Sequence, residues 1–189
     1  LLRRLLTEAI GEDFLWEGLT PSPCENTYRM KMEYSFGDAY RDGPLTLGMH
    51  KRGSHYDIVE TDRCELVHED LNLALRETLR FFRERKVPFY HKMRHEGYLR
   101  FLLARRGTHR KELLLDLVTS SQLPAEEERE LLNAWRELMC ALPFEASLKG
   151  LLHTVTDSVA DAVKNERTEI LFGEAQFEEE LSGLRFVIT

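Results

Sequence analysis

The sequence predicts an α+β protein with a mainly antiparallel sheet and flanking helices. Short runs of alternating apolar and polar residues occur in both halves of the chain, as expected for strands with one buried face. Turns that contain glycine join several of these runs, which favours antiparallel pairing, and helical patterns separate the groups of strands. The chain has 189 residues, of which 42% are hydrophobic and 31% charged. This length is enough for one large domain with a short appendage.

The first residues, LLRRLLTEAI, predict a short amphipathic helix. They do not form a signal peptide, because no long apolar stretch or cleavage site follows. We therefore treat residues 1–19 as a lead-in helix and residues 20–189 as the domain. The chain begins at Leu1 rather than methionine and stops within an apolar strand pattern at Thr189, so we expect truncation at both ends.

An antiparallel meander is predicted over residues 28–60. The segment YRMKMEYSFG (28–37) places Arg29 and Lys31 on an open face. Its opposite face is predicted to enter the core through five large side chains: Tyr28, Met30, Met32, Tyr34 and Phe36. The alternating segments LTLGMH (45–50), which puts Met49 on the apolar side, and HYDIVE (55–60) complete the meander.

Two longer helices and further strands follow. Residues 68–86 have large apolar side chains at helical spacing, namely Leu71, Leu75, Leu79 and Phe82. A similar stripe after Pro124 predicts a second helix over 125–142. The remaining predicted strands are 98–105, 111–119, 151–159, 168–173, 177–181 and 184–189. The second of these is almost entirely apolar, so we expect it in the interior of the sheet.

The charge is unevenly distributed. The whole chain carries a net charge of −7, but residues 28–111 contain 18 basic and 12 acidic side chains. Residues 112–189 contain 6 basic and 16 acidic side chains. Only the middle of the chain therefore offers a positive face to a polyanion. Ordinary solvated helix faces are the alternative explanation.

The segment MHKRGSHYDIV (49–59) contains the strongest candidate binding residues. It places His50, Lys51 and Arg52 on a turn with glycine, beside the strand that carries Arg29 and Lys31. A positive turn with exposed backbone N–H groups suits a phosphate contact. The nearby rings of Tyr28, His50, His55 and Tyr56 would suit stacking on unpaired bases. A solvated turn remains the alternative at this point.

The sequence lacks several signatures of catalysis and cofactor binding. It contains no CxxC pair, no HExxH and no glycine-rich dinucleotide loop after a strand. The odd, widely spaced Cys24, Cys64 and Cys140 do not suggest a disulfide framework, and a reducing cytoplasm fits them best. His153 lies on an apolar strand and is interpreted as a core residue. From these residues alone we cannot assemble a nucleophile, a base and an orienting residue, and dinucleotide-type cofactor binding finds no support.

Four segments resemble the RNA (uracil-5-)-methyltransferase family, and the resemblance runs from about residue 20 to the last residue. They are YRMKMEYSFGD, LGMHKRGSHYDIVETDRCEL, LLHTVTDSVADAV and TEILFGEAQFEEELSGLRFVIT. The resemblance implies an enzyme that uses S-adenosylmethionine to make 5-methyluridine in RNA. It also implies three domains: an N-terminal β-barrel, a central α+β domain that this chain matches, and a C-terminal Rossmann-like domain.

The same resemblance implies that the chemistry lies outside this chain. In the family a cysteine thiolate adds to carbon 6 of uracil, carbon 5 takes the methyl group, and a base removes the carbon 5 proton. The target base must first be flipped out of the RNA. The cofactor loop, nucleophile and base of the family would all follow Thr189, so we expect these 189 residues alone to be inactive.

Cys64 matches the fourth ligand of a [4Fe–4S] cluster in those family members that carry one. The resemblance also implies RNA as the partner, in the ribosomal branch 23S rRNA, and not DNA. We expect a monomeric, cytoplasmic protein without membrane contact. Arg29, Lys31, Lys51 and Arg52 are the predicted RNA contacts, with His50 as a further candidate. The alternatives are a non-catalytic RNA-binding or protein-interaction domain of the same fold, and a purely structural domain.

Overall fold

The computed structural model describes residues 1–158 and 167–189, which form a large sheet, a small hairpin and three helices. In chain order the elements are α1 (Leu2–Ile10), β1 (Lys31–Asp38), β2 (Leu45–His50), β3 (Ile58–Glu60), α2 (Glu69–Glu84), β4 (Leu99–Arg106), β5 (Glu112–Thr119), α3 (Ala125–Ala141), β6 (Ser147–Val155), β7 (Arg167–Gly173), β8 (Phe177–Leu181) and β9 (Leu184–Ile188).

The large sheet has seven strands in the order β3-β2-β1-β4-β5-β6-β7. Its neighbouring strands pair antiparallel except β5 and β6, which pair in parallel. A parallel pair needs a crossover connection, and α3 provides it. The predicted α+β class with a mainly antiparallel sheet is therefore confirmed, as is the interior position of residues 111–119.

Helices α2 and α3 cover one face of the sheet, where the main core lies. The four predicted core residues of α2, Leu71, Leu75, Leu79 and Phe82, are all buried. The two helices also meet each other: the Trp135 indole N–H donates to the Thr78 hydroxyl oxygen at 3.1 Å. This bond satisfies the one polar group of a large side chain that is completely buried.

The opposite face of the sheet is covered only in part. The hairpin of β8 and β9 packs Phe177 against Leu114 and Leu152 on that face. Glu179 of the hairpin accepts hydrogen bonds from the backbone N–H groups of Thr108 and His109, in the turn between β4 and β5. Towards β1 and β2 the same face is more accessible, and Lys31 and Glu33 are exposed on it.

Two predictions for the first strands are wrong at their ends. Tyr28 is 55% exposed rather than part of the core, because residues 27–29 run along the loop before α2 and not within the sheet. Thr27 and Arg29 donate their backbone N–H groups to the carbonyl oxygens of Glu65 and Leu66. Met49 is 38% exposed, because the helix layer reaches β2 only at Leu45 and Leu47.

Helix α1 has no buried residue. It falls within the predicted lead-in segment, while the boundary at residue 19 stays a prediction. Among the described residues, no helix combines the length and the apolar character needed to cross a membrane.

Candidate nucleic-acid interface

The turn between β2 and β3 presents Lys51 and Arg52 to solvent, as predicted. It is closed by a hydrogen bond from the Ser54 backbone N–H to the Lys51 carbonyl oxygen at 3.0 Å. Gly53 has φ +81° and open space around it, so it accepts a backbone conformation that side chains disfavour. The Lys51 amine lies 3.9 Å from the Asp57 carboxylate, a solvent-exposed ion pair that an incoming phosphate can replace at small cost.

Arg29 and Lys31 lie at the start of β1. Lys31 is the first residue of the strand and is exposed, while Arg29 precedes the strand and donates from its Nε to the Lys31 carbonyl oxygen at 3.3 Å. In the antiparallel pairing of β1 and β2, Ser35 lies opposite Gly48. The start of β1 and the end of β2 therefore lie at the same end of the sheet. The structure places the predicted cations at that common end.

Arg105 is a further cation at this place that the sequence interpretation did not single out. It is the direct cross-strand partner of Lys31 in the pairing of β1 with β4, so the two side chains share a face. We name Arg29, Lys31, Lys51, Arg52 and Arg105 the basic belt. The segment YLRFLLAR does not alternate regularly, so it gave no signal for the face on which Arg105 lies. The residue beside Arg105 on the next strand also depends on a pairing register that local sequence does not specify.

Beside the basic belt, the open face forms a depression that contains Asp116. It is lined by Lys31, Glu33, Leu103, Arg105, Leu114, Asp116, Leu152, Thr154, Thr168, Ala175 and Thr189. Burial raises the pKa of Asp116 to about 6, although a hydrogen bond from the Thr154 hydroxyl at 2.9 Å opposes the shift. Its other oxygen, Oδ1, is buried without a hydrogen-bond partner in the described structure. A carboxyl group that titrates near neutral pH on an open face is a functional candidate.

His50 belongs to a second recess and not only to the basic turn. Its Nε2 lies 3.5 Å from the Ser35 hydroxyl oxygen. This recess, which we call the aromatic cleft, lies between the far part of β1, the residues after β2 and the segment 88–97. It is lined by Ser35, Phe36, Gly37, Asp38, His50, Tyr56, Ile58, Phe89, Tyr90, His91, Lys92, Arg100 and Phe101. The segment 88–97 had no predicted role in the sequence.

Cys64 lies in the loop before α2 and is half-buried against the core. The Asn72 side chain holds its backbone: Asn72 Oδ1 accepts from the Cys64 N–H and Asn72 Nδ2 donates to the Cys64 carbonyl oxygen, both at 3.2 Å. Within residues 1–158 and 167–189 no three His, Cys, Asp or Glu side chains are grouped as a metal site. These residues alone therefore do not fit a resident iron–sulfur cluster; they offer one thiol.

Of the other sequence candidates for chemistry, His153 lies in the core, as predicted, and Cys24 and Cys140 lie at the surface. His153 is buried, lies 2.8 Å from the Thr119 hydroxyl oxygen, and has its pKa lowered to about 4 by burial. Cys24 and Cys140 are exposed, and partial burial raises the pKa of Cys140, the opposite of what activates a thiol nucleophile.

No family model matches the chain, but curated proteins do. Over all of its residues it is 42% identical to an uncharacterized RNA methyltransferase of Caldanaerobacter subterraneus, of which it covers 40%. It is 38% identical over 98% of its length to one of Clostridium acetobutylicum, again covering 40%. A third, of Clostridium tetani, is 40% identical over 95% of the chain and is covered to 38%. The chain thus spans about two fifths of the length of these relatives.

Among solved structures, the chain is similar to the tRNA (uracil-54, C5)-methyltransferase of Pyrococcus abyssi in complex with S-adenosyl-L-homocysteine. The TM-score is 0.65 at 19% sequence identity. The similarity covers 98% of this chain and 40% of that protein. At this identity the match establishes the fold, and the α+β architecture described above is the one that the two proteins share.

Proposed function

Because the chain belongs to the RNA methyltransferase family, we propose that it is the RNA-facing central region of an enzyme that makes 5-methyluridine with S-adenosylmethionine. This family assignment rests on the match of the whole chain to about two fifths of curated RNA methyltransferases. The choice of uracil carbon 5 is supported by the sequence motifs and by the shared fold of the archaeal uracil methyltransferase. We further propose 23S rRNA as the substrate, and a monomeric, cytoplasmic enzyme that does not act on DNA.

The basic belt is the observation that carries the RNA-binding role. It brings two cations of a tight turn to the same end of the sheet as Lys31 and Arg105, which are adjacent across two paired strands. Cations on rigid strands and a closed turn hold fixed positions, and fixed positions suit the regular spacing of backbone phosphates. The net negative charge of the chain does not oppose this role, because phosphates respond to the local potential.

We assign the catalytic steps and cofactor binding to other parts of the full-length enzyme. None of the three cysteines has the environment of an activated nucleophile, since two are exposed without an assigned base and Cys64 is half-buried beside apolar residues. No residue of this chain is assigned to S-adenosylmethionine. The chain's own contribution is to bind and orient the RNA.

Cys64 is proposed as the fourth ligand of a [4Fe–4S] cluster in the full-length protein. Supporting this, residues 27–29 run directly beside the Cys64 loop, so the chain that precedes them is led towards this thiol. Asn72 bonds to the backbone on both sides of the Cys64 α-carbon, at its N–H and at its carbonyl oxygen, which would hold the sulfur in one place. Iron analysis of the purified full-length Cys64→Ser enzyme tests this assignment; unchanged iron content would reject it.

Replacing both Lys51 and Arg52 by alanine in the full-length enzyme tests the RNA-binding role. We expect weaker binding to all RNA sequences, and a smaller dependence of log Kd on log salt concentration, by about one for each phosphate that the variant no longer neutralises. Binding isotherms at several salt concentrations measure both quantities.

The matched control is the double change Arg129→Ala and Arg136→Ala on α3. It removes the same charge from the helix layer, where Arg129 pairs with Glu126 and Arg136 with Glu137. We expect it to leave the salt dependence close to that of the unmodified enzyme. Equal effects of the two double variants, or no effect of either, would contradict the proposal.

A further inference from the structure

The aromatic cleft has open ring surfaces on its walls. Tyr56 is 58% exposed, and its hydroxyl donates to the Met93 sulfur at 3.5 Å, which connects the turn after β2 to the segment 88–97. On the opposite side the rings of Phe89 and His91 are stacked, with centroids 6.2 Å apart and an angle of 26° between the planes. Rings held by such contacts lose little conformational entropy when a flat ligand stacks on them.

The floor of the cleft carries polar groups of both kinds. Arg100 is only 5% exposed; its guanidinium donates to the carbonyl oxygens of Thr156 and Ser158 and lies 4.4 Å from the centre of the Tyr90 ring. Asp38 adds a carboxylate, and Ser35 adds a hydroxyl beside His50. The cleft therefore presents hydrogen-bond donors and acceptors together with apolar surface.

This combination selects among ligand classes. A carboxylate in the cleft opposes a phosphate group there, and the buried guanidinium opposes a purely aliphatic ligand. A nucleobase has a flat apolar face and an edge with both donors and acceptors, so it matches all these groups. Lys92 also lines the cleft, and the turn with Lys51 and Arg52 follows His50 directly, which places cations where the phosphates of a bound nucleotide would leave the cleft.

We propose that the aromatic cleft binds one unpaired RNA base, stacked on Tyr56, with the flanking phosphates on Lys92 and the Lys51–Arg52 turn. The inference rests on the proposed RNA-binding function and extends it. The basic belt would contact the RNA backbone, and the cleft would add a contact to one base at a fixed position along the RNA. A base held there would fix which segment of the RNA the rest of the enzyme meets.

The test uses the full-length enzyme and single-stranded octamers of uridine, one series labelled with 4-thiouridine for photo-crosslinking. We expect the label to attach within the tryptic peptide 53–63, which contains Tyr56. Tyr56→Ala should abolish this crosslink and weaken octauridine binding about tenfold, in the range for the loss of one stacked base. Tyr56→Phe keeps the ring and should bind within about twofold of the unmodified enzyme.

Tyr40→Ala is the matched control, because Tyr40 is 63% exposed and lies outside the cleft. It should leave both the crosslink and the affinity unchanged. An octamer of abasic ribose phosphates should bind the Tyr56→Ala and unmodified enzymes equally well, because it has no base to stack.

The outcomes separate the two proposals. If Tyr56→Ala behaves like Tyr40→Ala, or the crosslinks all lie in other peptides while the RNA still binds, the cleft assignment is overturned and the basic belt stands. If neither the octamers nor longer RNA bind the enzyme, both are overturned.

Discussion

At the scale of single residues, Asp116 shows how the open face alters a side chain. The carboxyl group lies in the middle of the sheet, partly covered, with one oxygen bonded to Thr154 and the other without a partner in the described residues. Its pKa is about 6, against 3.8 for the free side chain. Between these two values the folded protein keeps a proton that the unfolded chain has lost. Stability therefore falls as the pH rises through this window.

Asp116→Asn should remove that dependence, since the amide cannot ionise and its oxygen can still accept from Thr154. We compare the free energy of unfolding of the variant with that of the unmodified protein. The difference, variant minus unmodified, should increase by at most about 2–3 kcal/mol between pH 4 and pH 7, which corresponds to a pKa shift of about two units. Urea unfolding at pH 4.5, 5.5 and 7 measures the difference.

Asp157→Asn provides a control with the opposite sign. Asp157 accepts hydrogen bonds from the Ser121 backbone N–H and hydroxyl, which lower its pKa. Its stabilising effect is present above the unfolded pKa and is lost as the pH falls, so this variant should lose stability mainly at neutral pH. A constant difference between Asp116→Asn and the unmodified protein at all three pH values would contradict the Asp116 prediction.

The sequence predicted the cations of the candidate interface better than it predicted their neighbours. Lys51 and Arg52 were identifiable because a glycine turn between two alternating runs must expose its polar residues. Arg105 and Asp116 were not, because their importance arises from strand pairings between residues far apart in the chain. Tyr28 was misplaced because its backbone bonds to the loop before α2, a contact without a local pattern.

At the scale of elements, the N-terminus of α2 is the point where three parts of the fold are joined. Asp70 in its first turn accepts from Arg106 Nε at the end of β4 at 2.8 Å. It also accepts from the backbone N–H groups of Glu145 and Ala146, just before β6, at 2.8 and 3.0 Å. His68 caps the same helix by accepting from the Asp70 N–H through Nδ1. One carboxylate thus ties the helix layer to two strands.

Asp70→Asn should destabilise the protein by about 3 kcal/mol at pH 7, because the buried Arg106 charge then loses its closest carboxylate and keeps only the exposed Glu145 at 3.7 Å. Burial opposes ionisation of Asp70, but the hydrogen bonds from Arg106, Glu145 and Ala146 outweigh it and lower the pKa. The stabilisation is therefore present above the unfolded pKa and is lost as the pH falls through the lower, folded pKa. Denaturant unfolding at pH 7 and at pH 3 measures this change.

Glu69→Gln is the control, since Glu69 lies in the same helical turn and pairs with Arg76 at the surface. A solvent-screened pair is worth at most about 1 kcal/mol. If Asp70→Asn were no more destabilising than Glu69→Gln, the hydrogen bonds of the Asp70 carboxylate would not stabilise the contact between α2 and the sheet, and the prediction would be wrong.

The helices and most strands were predictable because their patterns are long and regular. Helix α2 repeats apolar residues at the helical period over four turns, has acidic residues first and Arg83 last, and ends close to the predicted residue. Strand β3 was harder to predict, because only three of the six residues predicted over 55–60 belong to it. The residues before it form the turn that carries Tyr56, where the backbone N–H groups of Tyr56 and Asp57 donate to the Ser54 hydroxyl oxygen.

At the scale of the whole molecule, the two faces of the sheet differ in kind. One is sealed by α2 and α3 over a continuous apolar core. The other combines the basic belt, Asp116 and the aromatic cleft, and it is covered only in part, by the β8–β9 hairpin and by the segment 88–97 that walls the cleft. The face under α2 and α3 stabilises the fold by burying apolar side chains, whereas the open face has accessible polar groups in fixed positions that can bind a ligand. The positive groups of the open face are thus gathered in one part of a chain whose net charge is −7, as the proposed RNA-binding role requires.

The same division leads to a prediction about activity. The chain spans about two fifths of the length of its relatives, and our proposal assigns catalysis and cofactor binding to other parts of the full-length enzyme. We therefore expect the 189-residue chain to transfer no methyl group from radiolabelled S-adenosylmethionine to unmodified 23S rRNA. The full-length enzyme should yield labelled 5-methyluridine on nucleoside analysis.

The Lys51→Ala and Arg52→Ala double variant of the full-length enzyme tests whether the basic belt acts in RNA binding or in the chemical step. Because our proposal assigns these cations to RNA binding and not to the reacting atoms, their removal should raise KM with little change in kcat. Methyl transfer by the 189-residue chain alone would show that catalytic residues lie within it. A fall in kcat at unchanged KM would show that Lys51 and Arg52 act in the chemical step. Either of these two results would contradict the proposal that this chain binds RNA while other parts of the enzyme carry out the chemistry.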